Sequence, residues 1–348
     1  MKNLIKLLII CVFPVLVKAQ IPAGYYDSAA GLTGESLKLA LHNIIDNHTV
    51  INYSDLYSKF DRTDLKPNGK IWDIYSDNPS GTPAYEYTFG ADECGNYNSE
   101  GDCYNKEHSW PKSWFGGEVY PMYSDLFIIY PTDGYVNSMR SNYPYGEVSS
   151  PTWTSTNGSK LGPCSVSGYS QTVFEPIDEY KGDLARTYFY VAVRYLNEDS
   201  SWPGSDMTTG AELKPWAFAM IYQWHINDPV SQKEINRNDS IYKIQNNRNP
   251  FIDHPEWVDS VWFPSYINKI SNDFNTIIFP NPASNKISVF AEKKMLRIQL
   301  LNQYGEIIEN LKVDEQEFSK DISELPIGVY FMKIFFSDST QIKSVVKL

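Results

Sequence analysis

The chain has 348 residues, 42% of them hydrophobic, and carries 25 Tyr, 17 Phe and 9 Trp. It is long enough for two domains, and too apolar and aromatic to be a disordered chain. The formal net charge is −12 at pH 7, and residues 20–274 concentrate the imbalance, with 18 basic against 33 acidic side chains. That excludes a protein that holds nucleic acid by its bulk charge, and leaves local basic clusters or metal ions for any phosphate contact.

Lys2 and Lys6 flank the start of the apolar run LLIICVFPVLV, and Ala19 precedes Gln20. This is the pattern of a secretory signal peptide over residues 1–19, with a run too short to span a bilayer. No later stretch is apolar enough to cross a membrane. Cleavage would remove Cys11 and leave Cys94, Cys103 and Cys164, which in an oxidising compartment reads as one disulfide and one free thiol. Cys94 and Cys103 are the nearer pair, with the turn-rich GNYNSEGD between them, and Cys164 remains an alternative partner for either. No CxxC pair is present, which speaks against a structural zinc site.

The first predicted helix places Leu37, Leu41, Ile44 and Ile45 on one face, with His42 and His48 as surface or capping histidines. The segment CYNKEHSWPKSWFGG (residues 103–117) follows a turn-rich stretch and joins a Glu–His pair to two Trp. DLFIIYP reads as a buried strand ending at Pro131. PTDGYVNSMRSN then forms a short helix capped by Thr132 or Asp133. GDLARTYFYVAVRYLNE is a longer helix with Leu184, Tyr188, Val191 and Tyr195 in one stripe. His225 and His254 read as packing or hydrogen-bonding residues. SQKEINRNDSIYKIQ opens on a capping box, Ser231 with Glu234, and presents Ile235, Ile241 and Ile244. From about residue 272 the texture changes. KISVFAE, LRIQLLN, GVYFMKIFF and KSVVKL are short β-rich runs separated by NQYG and PIG, which predicts a small antiparallel sandwich over residues 273–348.

Hydrolysing a phosphodiester needs a base for water, a cation on the phosphate oxygens and help for the leaving oxygen. A neutral His suits the first role. A hard cation such as Mg²⁺ takes oxygen ligands, often only one or two from the protein, and Glu carboxylate and Asn carbonyl both qualify. Glu107 and His108 are adjacent, so on an ideal strand they face opposite ways. Serving one site requires an irregular strand end, for which Pro111 and the glycines at 116–117 give room. A second strand and a helix would then bring Asn137 back toward the first strand.

That order, together with CYNKEHSWPKSWF, PTDGYVNSMRSNYPYGEV, FEPIDEYKGDLARTYFYVAVRY and IYKIQNNRNPFIDHPEWV, resembles the endonuclease I family of secreted and periplasmic bacterial nucleases. The resemblance covers roughly residues 30–265. It implies an α+β fold over residues 20–272, a ββα-metal nuclease core with additional helices. It implies Mg²⁺ as cofactor, with Mn²⁺ or Ca²⁺ as alternatives. By position, His108 would activate water, and Glu107 and Asn137 would hold the metal. Such enzymes cleave DNA, and often RNA, to 5′-phosphate and 3′-hydroxyl ends. Phe127 and Ile128 stand where the family pattern has polar residues, although Asp125 is kept; this implies a lost secondary contact and lower activity. Arg140 is the candidate for stabilising transition-state charge, with a helix-holding salt bridge as its alternative role. Lys106, Arg186 and Arg248 are candidate phosphate contacts, though the position of Arg186 within a helix favours a structural pair.

FPNPASNKISV, LPIGVYFMKI and the terminal KSVVKL resemble the C-terminal sorting domain of type IX secretion. This implies a secreted or surface-attached monomer that engages the type IX secretion machinery. A rival reading is a surface glycan- or protein-binding module on a degenerate nuclease fold, consistent with the aromatic richness and acidic charge. A metalloprotease is disfavoured because no HExxH motif occurs.

Overall fold

The structure, a computed structural model, describes residues 21–263, 276–302, 305–337 and 339–348. The expected signal peptide and the expected boundary near residue 272 lie outside the described residues. Helix α1 (Gly34–Ile45) buries Leu37, Leu41 and Ile45, the face that the apolar spacing defines. His48, expected at the surface, is instead 5% exposed, with Arg194 donating from Nε to its Nδ1 at 3.0 Å. A short helix, α2 (Phe60–Thr63), precedes a long irregular stretch that ends at the Cys94–Cys103 disulfide. Cys164 is free and buried.

Strands β1 (Tyr104–His108) and β2 (Ile129–Asp133) pair antiparallel, from Tyr104 opposite Asp133 to His108 opposite Ile129. Helix α3 (Gly134–Arg140) follows without a break and packs on both strands. Asp133 caps it, accepting from the Val136 amide at 2.8 Å. A three-stranded antiparallel sheet, β3 (Trp153–Thr154), β4 (Lys160–Pro163) and β5 (Thr172–Glu175), leads to α4 (Lys181–Arg194).

Every residue of α4 is buried, not just the predicted stripe. The helix runs through the middle of the domain, and its arginines are neutralised there. Arg186 Nε meets Glu234 at 2.5 Å, and Arg194 Nη1 meets Glu198 at 2.6 Å and Asp46 at 3.0 Å. A two-stranded ribbon, β6 (Thr208–Thr209) with β7 (Glu212–Leu213), precedes α5 (Pro215–Asn227). Helix α6 (Gln232–Gln245) begins with the predicted Ser231–Glu234 capping box. Two short helices, α7 (Pro250–Asp253) and α8 (Trp257–Trp262), close this part of the chain.

The C-terminal strands are β8 (Thr276–Phe279), β9 (Lys286–Leu301), β10 (Ile307–Asp321), β11 (Gly328–Phe335) and β12 (Thr340–Lys347). The expected two-layer sandwich is, among the described residues, a single curled antiparallel sheet. Strand β9 pairs with β8 over its first half and with β11 over its last residues, while β10 follows both halves through register shifts near Glu315. Such bulges bend and twist a strand. The curl closes over Ile287, Val289, Met295, Ile298, Met332 and Ile334. Phe331 of β11 meets Phe263 of the preceding part at 4.9 Å between ring centroids.

Candidate active site

Strand β1 carries three of the predicted site residues. Its pairing is regular through His108, where the strand ends; from Ser109 the chain bends irregularly through Pro111 to Gly116 and Gly117, both at positive φ, while within the strand Glu107 and His108 take opposite faces. Lys106 and His108 share one face with Tyr53. The Lys106 ammonium lies 3.9 Å from the Tyr53 ring centroid and 4.4 Å from that of Tyr57, and donates to the Tyr53 carbonyl at 3.2 Å. The His108 ring stacks against Tyr53 and Tyr123, at 5.8 and 5.4 Å.

His108 Nε2 lies 3.0 Å from the Tyr123 carbonyl oxygen. A carbonyl only accepts, so Nε2 carries the hydrogen and Nδ1 keeps its lone pair. Burial lowers the imidazole to about 4; the Tyr123 bond opposes this, while the charges of Lys112, Arg140 and Lys106 add to it. The ring is therefore neutral at neutral pH.

Glu107 occupies the other face, 3% exposed. Its Oε1 accepts from the Tyr75 hydroxyl at 2.9 Å and pairs with Arg140 Nη1 at 3.1 Å. Burial pushes the carboxyl up to about 7, against the pull of Arg140 and Tyr75. Asn137, on α3, donates from Nδ2 to Asn105 Oδ1 at 2.7 Å. Asn105 precedes Glu107 by two residues and so shares its face. The structure thus brings Asn137 to the Glu107 side of β1. The Asn105 bond engages the amide nitrogen of Asn137 and leaves Oδ1 for other partners. Glu107 Oε2 and Asn137 Oδ1 are both hard oxygen donors, a set that fits Mg²⁺ or Ca²⁺.

Arg140 joins the two faces. It is 1% exposed and donates to the His108 carbonyl at 3.0 Å and the Ser109 carbonyl at 2.7 Å, beneath Tyr145 at 4.6 Å from the ring. Those contacts fix the end of β1 and leave the guanidinium buried. Arg186 and Arg248 are each 0% exposed. Arg186 is held by Glu234, and Arg248 by Asp253 at 2.6 Å and Asp239 at 2.7 Å. The expected phosphate contacts are not available at either position. Lys106 remains half-buried among its aromatics, and Lys112, not singled out from the sequence, is exposed beside Tyr123.

Phe127 and Ile128 are fully packed, 1% and 0% exposed. In this chain those positions belong to the core, where polar side chains would need buried partners. Asp125, retained from the family pattern, is also buried; its carboxylate accepts from the Tyr190 and Tyr195 hydroxyls, each at 2.9 Å, and from Gln245 at 3.0 Å. Asp133 was singled out only as a cap. It also takes Tyr85 at 2.8 Å, Tyr87 at 2.6 Å and the Gly101 amide at 2.8 Å, which locks the β2–α3 junction and hence Asn137. Among the described residues, one His/Asp/Glu cluster could also hold a metal ion: His42, Asp46 and Glu198, whose ligand atoms lie within 4.8 Å of one another. Both of its carboxylates already pair with Arg194.

Residues 33–256 match the family model for Endonuclease I, and residues 277–348 match that for a secretion system C-terminal sorting domain. The chain is 36% identical over 245 residues to an extracellular ribonuclease of Bacillus subtilis, covering 68% of this chain and 78% of that protein. Identity and coverage are the same for an extracellular ribonuclease of Bacillus amyloliquefaciens. A periplasmic deoxyribonuclease of Aeromonas hydrophila is 29% identical over 140 residues, 39% of this chain and 50% of that protein. Together with the sorting domain, these likenesses define a nuclease that is secreted or attached at the cell surface. The chain belongs to the endonuclease I family.

Proposed function

We propose that this nuclease hydrolyses phosphodiester bonds of DNA, and of RNA as a second substrate, without strong sequence preference, leaving 5′-phosphate and 3′-hydroxyl ends. His108 acts as general base, and Glu107 with Asn137 holds one divalent cation, Mg²⁺ in the first instance. The strand–strand–helix unit of β1, β2 and α3 supports a ββα-metal core, and the sorting domain supports export by the type IX machinery.

The observation that carries this reading is the state of His108. Its Nε2–H is held by the Tyr123 carbonyl, its pKa is far below neutrality, and its Nδ1 lone pair is uncommitted to that bond. A ring so held is unprotonated and has Nδ1 free to accept a proton, while the burial that lowers it to about 4 also makes it a weaker base than an ordinary imidazole. Arg140 fixes the main chain at His108 and Ser109 while pairing with Glu107, so the base and the carboxylate hold a constant relation. Tyr75 orients the carboxylate, and Asn105 orients the Asn137 amide. When bound, the cation neutralises charge on the phosphate oxygens and the leaving oxygen.

The test is nicking of supercoiled plasmid, with Mg²⁺ and with chelator. Wild type is expected to cut only with the cation, and His108→Ala to lose about 10²–10⁴-fold, the usual contribution of a general base. Near-normal cutting by the variant, or cutting that chelator leaves untouched, overturns the assignment.

A further inference from the structure

A groove of about 490 Å³ opens where the two segments that leave the site come together. One wall is Ser113 and Trp114, in the turn that follows the Glu107–Pro111 segment. The other is Asn142, Tyr143 and Pro144, immediately after α3. Asn142 Nδ2 reaches Ser113 Oγ at 3.4 Å, and the Tyr143 amide donates to the Arg140 carbonyl at 3.1 Å. The groove is therefore anchored to the same elements that carry His108 and Asn137. The chain enters it through Ser141, a non-glycine residue at φ 52°, ψ −126°. Backbone held in that sparsely populated region costs stability and persists where its surroundings require it, often at functional sites.

The lining chemistry selects a ligand class. Asp206 is the only charged side chain in the lining, so a phosphate has no cation to meet there. Asn142 and Gln171 offer amides that can pair with the edge of a heterocycle, and Ser113 offers a hydroxyl. Tyr169 has one ring face covered by Trp216, at 4.5 Å and 7° between planes, and its hydroxyl donates to Asp206 at 3.0 Å. A second flat ring on its other face would extend that stack. Tyr143 adds an exposed ring, 38% accessible. Aromatic faces with exposed amides and no basic side chain suit a neutral, planar, hydrogen-bonding group; unpaired nucleobases are read in this way, by stacking and edge contacts.

We propose that this groove is a subsite for an unpaired nucleobase of the nucleic-acid strand whose phosphodiester lies at His108. The inference rests on the function proposed above and adds to it a preference for single strands, because duplex bases have their pairing edges occupied. The proposal needs a strand that runs from the end of β1 past Ser113.

The test is binding of a labelled single-stranded oligonucleotide to the full chain in chelator, followed by fluorescence anisotropy, with the same sequence as duplex for comparison. Tyr143→Ala is expected to weaken single-strand binding about tenfold, the usual scale for a lost base stack, and to leave duplex binding unchanged. The double variant Asn142→Ala/Gln171→Ala changes only exposed side chains, so its fold is secure. It is expected to flatten base preference beside the scissile bond, while cleavage of a strand carrying an abasic site there stays at the wild-type rate. Single-strand binding and cleavage patterns equal to wild type in both variants overturn the subsite. Failure of the catalytic reading shows separately, as normal plasmid cutting by His108→Ala, and leaves the anisotropy result to stand by itself.

Discussion

Replacing Arg140 separates the two roles that its position in the sequence left open. The guanidinium holds the His108 and Ser109 carbonyls and neutralises Glu107, with 1% and 3% exposure at the two charged residues. Arg140→Ala leaves two carbonyls unpaired where water does not reach, and a buried Glu107 carboxyl, already pushed up to about 7, that must take a proton. Breaking a buried pair in this way costs about 3–5 kcal/mol. Arg140→Lys keeps the charge but not the fork, so it cannot serve both carbonyls and the carboxylate; a loss of about 1–3 kcal/mol is expected. The assay is urea unfolding followed by Trp fluorescence. All nine Trp precede residue 263, so the signal reports the nuclease part and not the C-terminal sheet. With a urea m-value of about 2–3 kcal/mol per M, Arg140→Ala should lower the midpoint by about 1–2 M. Activity should fall in both variants, and further in Ala than in Lys, following stability. An Arg140→Ala protein that unfolds within about 0.5 M of wild type yet loses activity a thousandfold would refute the reasoning. It would show that the guanidinium works on the phosphate and not on β1.

Other consequences are measured as directly. Asn137→Ala should raise the Mg²⁺ concentration for half-maximal cutting by at least about tenfold, with partial rescue by excess cation, since even the outer partners of a metal ligand contribute on that scale; an unchanged metal titration removes Asn137 from the ligand set. His225 is held near 4 by burial, with Arg186 beside it lowering it further, while its unfolded value is about 6.5. The unfolded chain therefore binds the proton first on acidification. The stability linked to His225 is complete above about pH 6.5 and is lost as pH falls through 4, by at most about 3 kcal/mol. Urea midpoints from pH 7 to 4 should fall less steeply in His225→Gln, and parallel curves contradict the assignment. Among the described residues, Lys106 and Lys112 are the lysines beside His108, and if they alone meet phosphates, log K against log salt should have a shallow slope of about −2. A slope of about −6 or steeper would mean that a larger basic surface is at work.

Local signals in the sequence translate well into structure where the partner is a few residues away. The Leu37–Leu41–Ile45 face and the Ser231–Glu234 box follow from short spacings, and the Asp133 cap and the Cys94–Cys103 bond were each among the short-range options the sequence left open. What the sequence hides is polar pairing across the fold. Helix α6 was expected to pack on Ile235, Ile241 and Ile244, yet its buried face is Lys233, Glu234, Arg237, Asn238, Ile241 and Gln245. Each charge there has a distant partner. Arg237 meets Asp64 at 2.8 Å, 173 positions away, and Lys233 meets Asp183 at 2.6 Å. Hydrophobic periodicity has no means of seeing such pairs. Asn105 and Tyr75 were missed for the same reason. Each is an ordinary residue in an ordinary place until β1, α3 and the stretch after α2 are brought together.

The same logic resolves the conflict between a net charge of −12 and a polyanionic substrate. The planar, always-charged guanidinium suits buried carboxylates, and the chain uses its arginines that way: Arg140, Arg186, Arg237 and Arg248 are all inside, each against an acid. They neutralise interior charge and contribute little field at the surface. The cations left beside His108 are lysines, one half-buried over two tyrosines and one exposed, and both add to the burial that lowers the imidazole. Among the described residues, the positive charge beside the reacting phosphate therefore comes from those two lysines and not from the buried arginines.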